Sequence, residues 1–170
     1  MRVLRQTTGQ LLVLDSANPL GVGGEAKVCR VFGLANLVAK VYHEPSPARA
    51  AKLAAMLANP PDDPTRSKGH ISIAWPAELL LAPDRSRQTL GFLMPLVPGM
   101  APVIDFYHPK TRRCKEPLFN YAYLFTAAQN LASAVHALHA RGYVIGDVNE
   151  SNLLVAPTAF KGMLTPRQAA

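Results

Sequence analysis

Ile145-Gly146-Asp147-Val148-Asn149-Glu150-Ser151-Asn152-Leu153-Leu154-Val155 sets an aspartate and an asparagine five positions apart in a polar turn before a short apolar run. At that spacing a carboxylate can accept a proton from a hydroxyl while an amide oxygen binds magnesium. An Asx-rich turn accounts for the same residue types equally well. Upstream, Leu118 to Ala140 contains no glycine or proline and repeats apolar residues at helical spacing, including Tyr121, Leu124, Phe125, Ala128, Leu131, Val135 and Leu138. The spacing predicts a long helix closed by Gly142 as its C-cap, with extended character from Tyr143 to Val155.

Farther upstream, proline is dense from Pro95 to Pro117, which predicts a connector without regular helix and a solvated basic loop from Lys110 to Lys115. The N-terminal half reads as short strands broken by glycine: Leu11 to Leu14, Lys27 to Phe32 and Leu37 to Tyr42, the last two joined as a hairpin through Gly33-Leu34-Ala35-Asn36. Ser46-Pro47 is an N-cap followed by proline at the first helical position, and it predicts a helix over Ala48 to Ala58 that Asn59-Pro60-Pro61 stops. Extended runs follow at Ile71 to Trp75 and Leu90 to Met94. Strands, a hinge, then helix make an α+β arrangement.

Two more stretches carry chemistry. In Leu20-Gly21-Val22-Gly23-Gly24-Glu25-Ala26-Lys27-Val28 the glycines lie between two strands instead of opening a helix. Such a hairpin can fold over phosphates, because no Cβ keeps its N–H groups from the oxygens; a plain β-turn fits the same letters. In Val38-Ala39-Lys40 the valine and the lysine point to one face of an extended strand, an apolar wall beside an ammonium group. A solvated edge-strand lysine is the plainer reading of Lys40 taken alone.

The chain has 170 residues, 49% hydrophobic and 17% charged, with a formal charge of +7. These figures fit one globular domain or a compact pair of lobes and exclude wholesale disorder. The charge suits polyanionic partners: nucleotide phosphates, nucleic acid or anionic surfaces. Cys29 and Cys114 stand in no CxxC or Cys/His cluster, so neither a disulfide framework nor a zinc site is expected. No apolar run approaches the roughly 18 residues needed to cross a membrane, and the expected location is the cytoplasm. His136 and His139, three apart, permit a shared metal, although packing and capping explain them more simply.

Taken together, these motifs resemble the eukaryotic-type protein kinase fold over about residues 10 to 156. The glycine stretch is similar to G-x-G-x-x-G-x-V with Ala26 in the third glycine's place, Val38-Ala39-Lys40 to V-A-I-K shortened by one, and Asp147 to Asn152 to the catalytic-loop D-x-x-x-x-N. The wording Gly-Asp-Val-Asn-Glu-Ser-Asn and the Ala58 to Asp63 loop look more narrowly like bacterial kinase-like proteins, longer chains that often carry a helix-hairpin-helix module. The resemblance implies a β N-lobe over 1–94, a hinge and connector over 95–117, and a partial helical C-lobe over 118–170.

It also implies ATP and Mg²⁺. Lys40 would hold the α and β phosphates, Gly21, Val22, Gly23 and Gly24 would cover them, and Leu20, Val28, Val38 and Leu154 would sandwich the adenine. Met94 would be the gatekeeper, with the Pro95 carbonyl and the Val97 N–H on the adenine edge. Asp147 would act on a protein hydroxyl, Asn149 would position the phosphate, and Asn152 would bind magnesium.

Four departures qualify that picture. Ile145 and Gly146 replace the His and Arg before the catalytic aspartate, and Asn149 replaces a lysine. The helix from Pro47 to Asn59 has no acidic residue to pair with Lys40, which leaves Glu44, Glu78 or no partner. No Asp or Glu follows Glu150, where the D-F-G aspartate belongs, and the pattern stops near Thr158 as though the chain were cut or its last dozen residues came from a different reading of the gene. The expectation is a kinase-like fold with impaired phosphoryl transfer. The alternative is an inactive, pseudokinase-like module for nucleotide or partner protein, and a third reading, nucleic-acid binding, rests on charge alone.

Overall fold

Alternating inward and outward residues on short strands decide the first half of the architecture. The computed structural model describes residues 1–115, 119, 121–146, 148–150, 152–155 and 164–166. The chain divides into two units, Met1–Pro60 with Trp75–Leu96, and Pro61–Ala74 with Val97–Ala170.

In the first unit, β1 (Arg2–Arg5), β2 (Leu11–Val13), β3 (Gly21–Val22), β4 (Ala26–Arg30), β5 (Leu37–Tyr42), β6 (Glu78–Leu81) and β7 (Thr89–Pro95) form one antiparallel sheet in the order β2-β1-β6-β7-β5-β4-β3. Leu14 bridges to Val31, the Asp15 N–H donates to the Arg30 carbonyl at 3.0 Å, and the Phe32 N–H donates to the Val13 carbonyl at 3.0 Å. The end of β2 therefore pairs with the chain beyond β4. The sheet curls onto itself, leaving little of this edge unpaired.

The pleat sorts the side chains. Val3, Leu12, Leu14, Cys29, Val31, Ala39, Val41, Leu80 and Leu93 fill the inside of the curl. The other face presents Leu79, Leu81 and Phe92 to Leu53 of α1 (Pro47–Ala58), with Tyr42, Met56, Leu57 and Met94 around them. The Ser46 side chain caps α1 by accepting the Arg49 N–H at 3.3 Å, and proline stands in the first turn, where a missing N–H costs nothing. The hairpin from β4 to β5 and the helix at 47–58 match their expected places.

In the second unit, β8 (Ala101–Pro102), β9 (Leu153–Val155) and β10 (Leu164–Pro166) form a small antiparallel sheet in the order β10-β9-β8. α4 (Tyr121–Ala140) buries Ala127, Ala134 and Leu138, and Ala127 packs with Phe106, Phe119 and Val155. Its end is a Schellman cap: Gly142 has φ +79°, its N–H donates to the His139 carbonyl at 2.9 Å, and the Tyr143 N–H donates to Leu138 at 3.1 Å. Among the described residues no helix is long and apolar enough to cross a membrane.

Three expectations are corrected. The proline-dense stretch holds two helices, α2 (Ile104–Tyr107) and α3 (Pro109–Lys115), so the basic segment is helical; Pro109 opens α3, where its ring is tolerated. No strand forms at Ile71–Trp75, because the Asp63 carboxylate takes the Ser72 and Ile73 N–H groups at 2.8 and 3.0 Å and so occupies ladder donors. Between Tyr143 and Val155, only Leu153–Val155 is a strand among the described residues.

Glu78, 7% exposed, is taken by Arg5: its Oε2 accepts Arg5 Nε at 2.8 Å and Nη2 at 2.6 Å, while Oε1 accepts the Thr7 N–H at 2.9 Å and the Thr7 hydroxyl. Burial alone would raise this carboxyl, but the bonds from Arg5 and Thr7 win and hold it below the ordinary glutamate range. A depressed carboxylate stabilises the fold above its unfolded pKa, and that stability is lost as pH falls through the folded value. Glu78→Gln should therefore lower stability at pH 7 by about 2 kcal/mol and flatten its decline below the ordinary glutamate pKa, measured by urea unfolding across pH.

Candidate functional site

In the first unit the glycine stretch is a hairpin at the β3 edge of the sheet, with Gly21 opposite Val28 and Val22 opposite Lys27. The Gly23 N–H donates to the Ala26 carbonyl at 2.9 Å, and the Leu20 N–H donates to Val28 at 2.7 Å. An added Cβ would meet nothing within 4 Å at Gly21 or Gly24, so one face of this backbone is open. Among the described residues the Gly24 and Glu25 N–H groups make no hydrogen bond. Open glycine backbone with free N–H groups is the arrangement that admits phosphate oxygens.

Lys40 lies beside that hairpin, cross-strand from Val28 on one side and Phe92 on the other. Partners across an antiparallel pair share a face, so Lys40, Val38 and Tyr42 stand on the α1 side of the sheet, while Ala39 and Val41 enter the curl. Lys40 is half-buried, and no ion pair reaches it among the described residues. Burial lowers its pKa first; the Glu25 carboxylate acts the other way, and Lys52 adds to the lowering. An anion beside Lys40 would regain the charge stabilisation that burial removes.

Val38 is buried, Val28, Met94 and Pro95 are half-buried, and Leu20 is exposed. Leu37 and Pro95 form a non-hydrogen-bonded pair, because the Leu96 N–H donates to the Asn36 carbonyl at 2.9 Å. The Leu93 carbonyl accepts from Ala77 on the β6 side at 2.8 Å, and the Pro95 carbonyl, two residues on, points the same way past the end of β6. It has no hydrogen bond among the described residues. Neither does the Val97 N–H in the second unit.

Also in the second unit, Asn149 and Asn152 are tied into one turn: the Asn152 N–H donates to Asn149 Oδ1 and to the Asn149 carbonyl, both at 3.1 Å. Both asparagines are half-buried, and Leu154 is buried on β9. Asp147 and the window 156–163 lie outside the described residues. Among those described, no group of three or more His, Cys, Asp or Glu could hold a metal ion, and His136 and His139 are exposed on α4. The first unit thus sets an open glycine backbone and a half-buried ammonium group beside the apolar side chains of Val28 and Val38.

Two contributors escaped the sequence reading. His43 fixes the hairpin from behind, its N–H donating to the Glu25 carbonyl at 2.9 Å and its Nε2 lying 3.0 Å from the Gly23 carbonyl. Arg49 of α1 pairs with Glu25 at 3.4 Å and lies 5.1 Å over the Tyr42 ring. The signal for His43 was its place directly after β5, opposite the hairpin tip; nothing in the sequence pointed to Arg49.

No protein-family model matches the chain. Over 149 residues, 88% of this chain, it is 34% identical to a protein named Protein kinase YegI in Escherichia coli K12, covering 22% of that protein. Against Protein kinase YegI of Escherichia coli O157:H7 the figures are 35% over 136 residues, 80% of this chain and 20% of that protein. The chain spans about a fifth of the length of these curated relatives. Among solved structures, ROP2 from Toxoplasma gondii, described as a virulence factor with a protein-kinase fold and no enzymatic activity, superposes with TM-score 0.58 at 16% identity, over 99% of this chain and 53% of that one. The ROP18 kinase domain in complex with AMP-PNP and sucrose gives TM-score 0.59 at 17% identity, over 97% and 53%.

The position of Lys40 depends on a close contact. A Cβ at Gly91 would stand 2.0 Å from the Lys40 carbonyl oxygen and 2.9 Å from Val41 Cα, so β7 can lie this close to β5 only with glycine there. Gly91→Ala should cost about 2 kcal/mol or more, read from the denaturant midpoint. An unchanged midpoint would contradict this packing.

Proposed function

The chain has a protein kinase-like fold and is related to bacterial kinase-like proteins, and on that premise we propose that it binds ATP and belongs to the machinery that transfers phosphoryl groups to protein Ser/Thr hydroxyls. The observation that carries the reading is Lys40: a half-buried ammonium with no ion pair among the described residues, beside an open glycine hairpin whose Gly24 and Glu25 N–H groups are free.

In this reading Lys40 binds the α and β phosphates, and Gly21, Val22, Gly23 and Gly24 cover them. Val28, Val38, Leu20 and Leu154 contact the adenine. Met94 bounds the base, and the Pro95 carbonyl and Val97 N–H pair with its edge. Asp147 orients the acceptor hydroxyl and takes its proton, and Asn149 helps position the phosphate. Asn152 is the residue assigned to magnesium, which when bound would neutralise phosphate charge; one amide is an incomplete donor set for that ion. A cytoplasmic setting suits the reading, since Cys29 and Cys114 are both free thiols.

Because no Asp or Glu follows Glu150, turnover by these 170 residues should be slow. That observation favours a second reading, nucleotide or partner binding without chemistry, and the ROP2 likeness shows that such a fold can lack activity. Thermal unfolding with and without ATP tests the shared part: ATP should raise the midpoint by several degrees, and Lys40→Met should weaken binding about 10- to 100-fold. No shift in the wild-type chain would reject nucleotide binding in both readings and leave only a partner-binding module. Radiolabelled ATP turnover in the wild type against Asp147→Ala separates them: a loss in the variant supports transfer, and equal background in both supports binding alone.

A further inference from the structure

We propose that Glu25, at the tip of the glycine hairpin, is the carboxylate that positions Lys40, and that Lys40 shares it with Arg49 of α1. Charge would thus be exchanged between helix and loop, with an arginine on the helix and the carboxylate on the hairpin. The inference rests on the nucleotide-binding reading of Lys40 given above.

Elimination supports it first. α1 has no acidic residue in its first turn or anywhere along Pro47–Ala58. Glu78 is committed to Arg5 and Thr7. The Glu44 side chain is exposed, and its carbonyl accepts from Arg49 Nη1. Geometry then favours Glu25. Ala26 lies opposite Tyr42 and Val28 opposite Lys40, so Glu25 is the hairpin residue just past the Ala26–Tyr42 pair, where the strand ends and its side chain is no longer held to the pleat. Its pair with Arg49, which lies over the Tyr42 ring, puts the carboxylate on the α1 face that also carries Lys40. Arg49, anchored by the Ser46 cap and stacked over Tyr42, brings its Nη2 to 3.4 Å from Glu25 Oε1.

Among the described residues the charges that act on Lys40 are Glu25 of the hairpin and Lys52 of α1, while Arg49 bears on it through its pair with Glu25. The strand partners Val28 and Phe92 carry no charge, and Tyr42, two positions on along the same face, is neutral at pH 7. Lys27 is paired with Val41, on the face that lines the curl. Glu25 favours the ammonium form of Lys40 against burial and Lys52. The Glu25 side chain is 55% exposed, and a surface pair of this kind contributes little, so moving the carboxylate between Arg49 and Lys40 costs little. Glu25 can therefore steady Lys40 before phosphate arrives and return to Arg49 once phosphate supplies the negative charge.

Pulse acetylation of the full chain across pH, with Lys40 modification read by peptide mass spectrometry, tests the proposal. Glu25→Gln should move the Lys40 profile to lower pH, raising its rate near neutrality about threefold, and Glu25→Asp should restore most of the wild-type profile. In an Arg49→Gln background the Glu25→Gln shift should grow, because Arg49 no longer draws the carboxylate away. A Glu25→Gln profile that superposes on the wild type, or a shift no larger without Arg49, overturns the proposal. The pulse contains no nucleotide, so failure of ATP binding would reject the function proposed above while leaving this result readable.

Discussion

The close approach of β7 to β5 at Gly91 is the contact on which the first unit depends. It lets Phe92 and Leu93 flank Lys40 and Ala39 at normal strand spacing, so the pleat stays in phase across the sheet. With the phase fixed, Ala39, Val41 and Leu93 enter the curl, while Val38, Lys40 and Tyr42 are delivered to the α1 face. A one-residue slip would bury an ammonium inside an apolar core, at a cost far above that of any single lost packing contact. Hydrophobic sorting and the placement of Lys40 are thus one constraint.

The same face explains why the absence of a helix glutamate need not leave the charges unmatched. α1 lies over the sheet through Leu53 and brings Arg49 to Tyr42, next to the hairpin tip. An arginine there selects a carboxylate on the loop instead of on the helix. His43, donating its N–H to the hairpin from behind, limits how far the tip can move. Hairpin, strand and helix are then joined by polar contacts at one corner of the first unit, above an apolar layer that gives that corner a firm floor.

Much of this was legible in the sequence. The β4–β5 hairpin, the Ser46-Pro47 helix start, the long α4 and its Gly142 cap all come from local signals: turn residues, a capping hydroxyl and 3.6-residue periodicity. Reading failed where a side chain overrode local preference. Asp63 drew the Ser72 and Ile73 amides away from a strand, and Pro109 began a helix in a stretch whose prolines argued against one. Glu78, a candidate for Lys40 by residue type, is instead bound by Arg5 and Thr7, more than 70 positions away in the chain.

By itself the sequence determined the β4–β5 hairpin, the start of α1 and the long α4 with its cap, because periodicity, capping and glycine spacing act over a few residues. Only the tertiary structure decided which charges meet. Ion pairs and strand register join residues far apart in the chain, and their cost or gain depends on burial that no local stretch encodes. So Glu78 went to Arg5, Glu25 to Arg49, and Lys40 stood with no ion pair among the described residues.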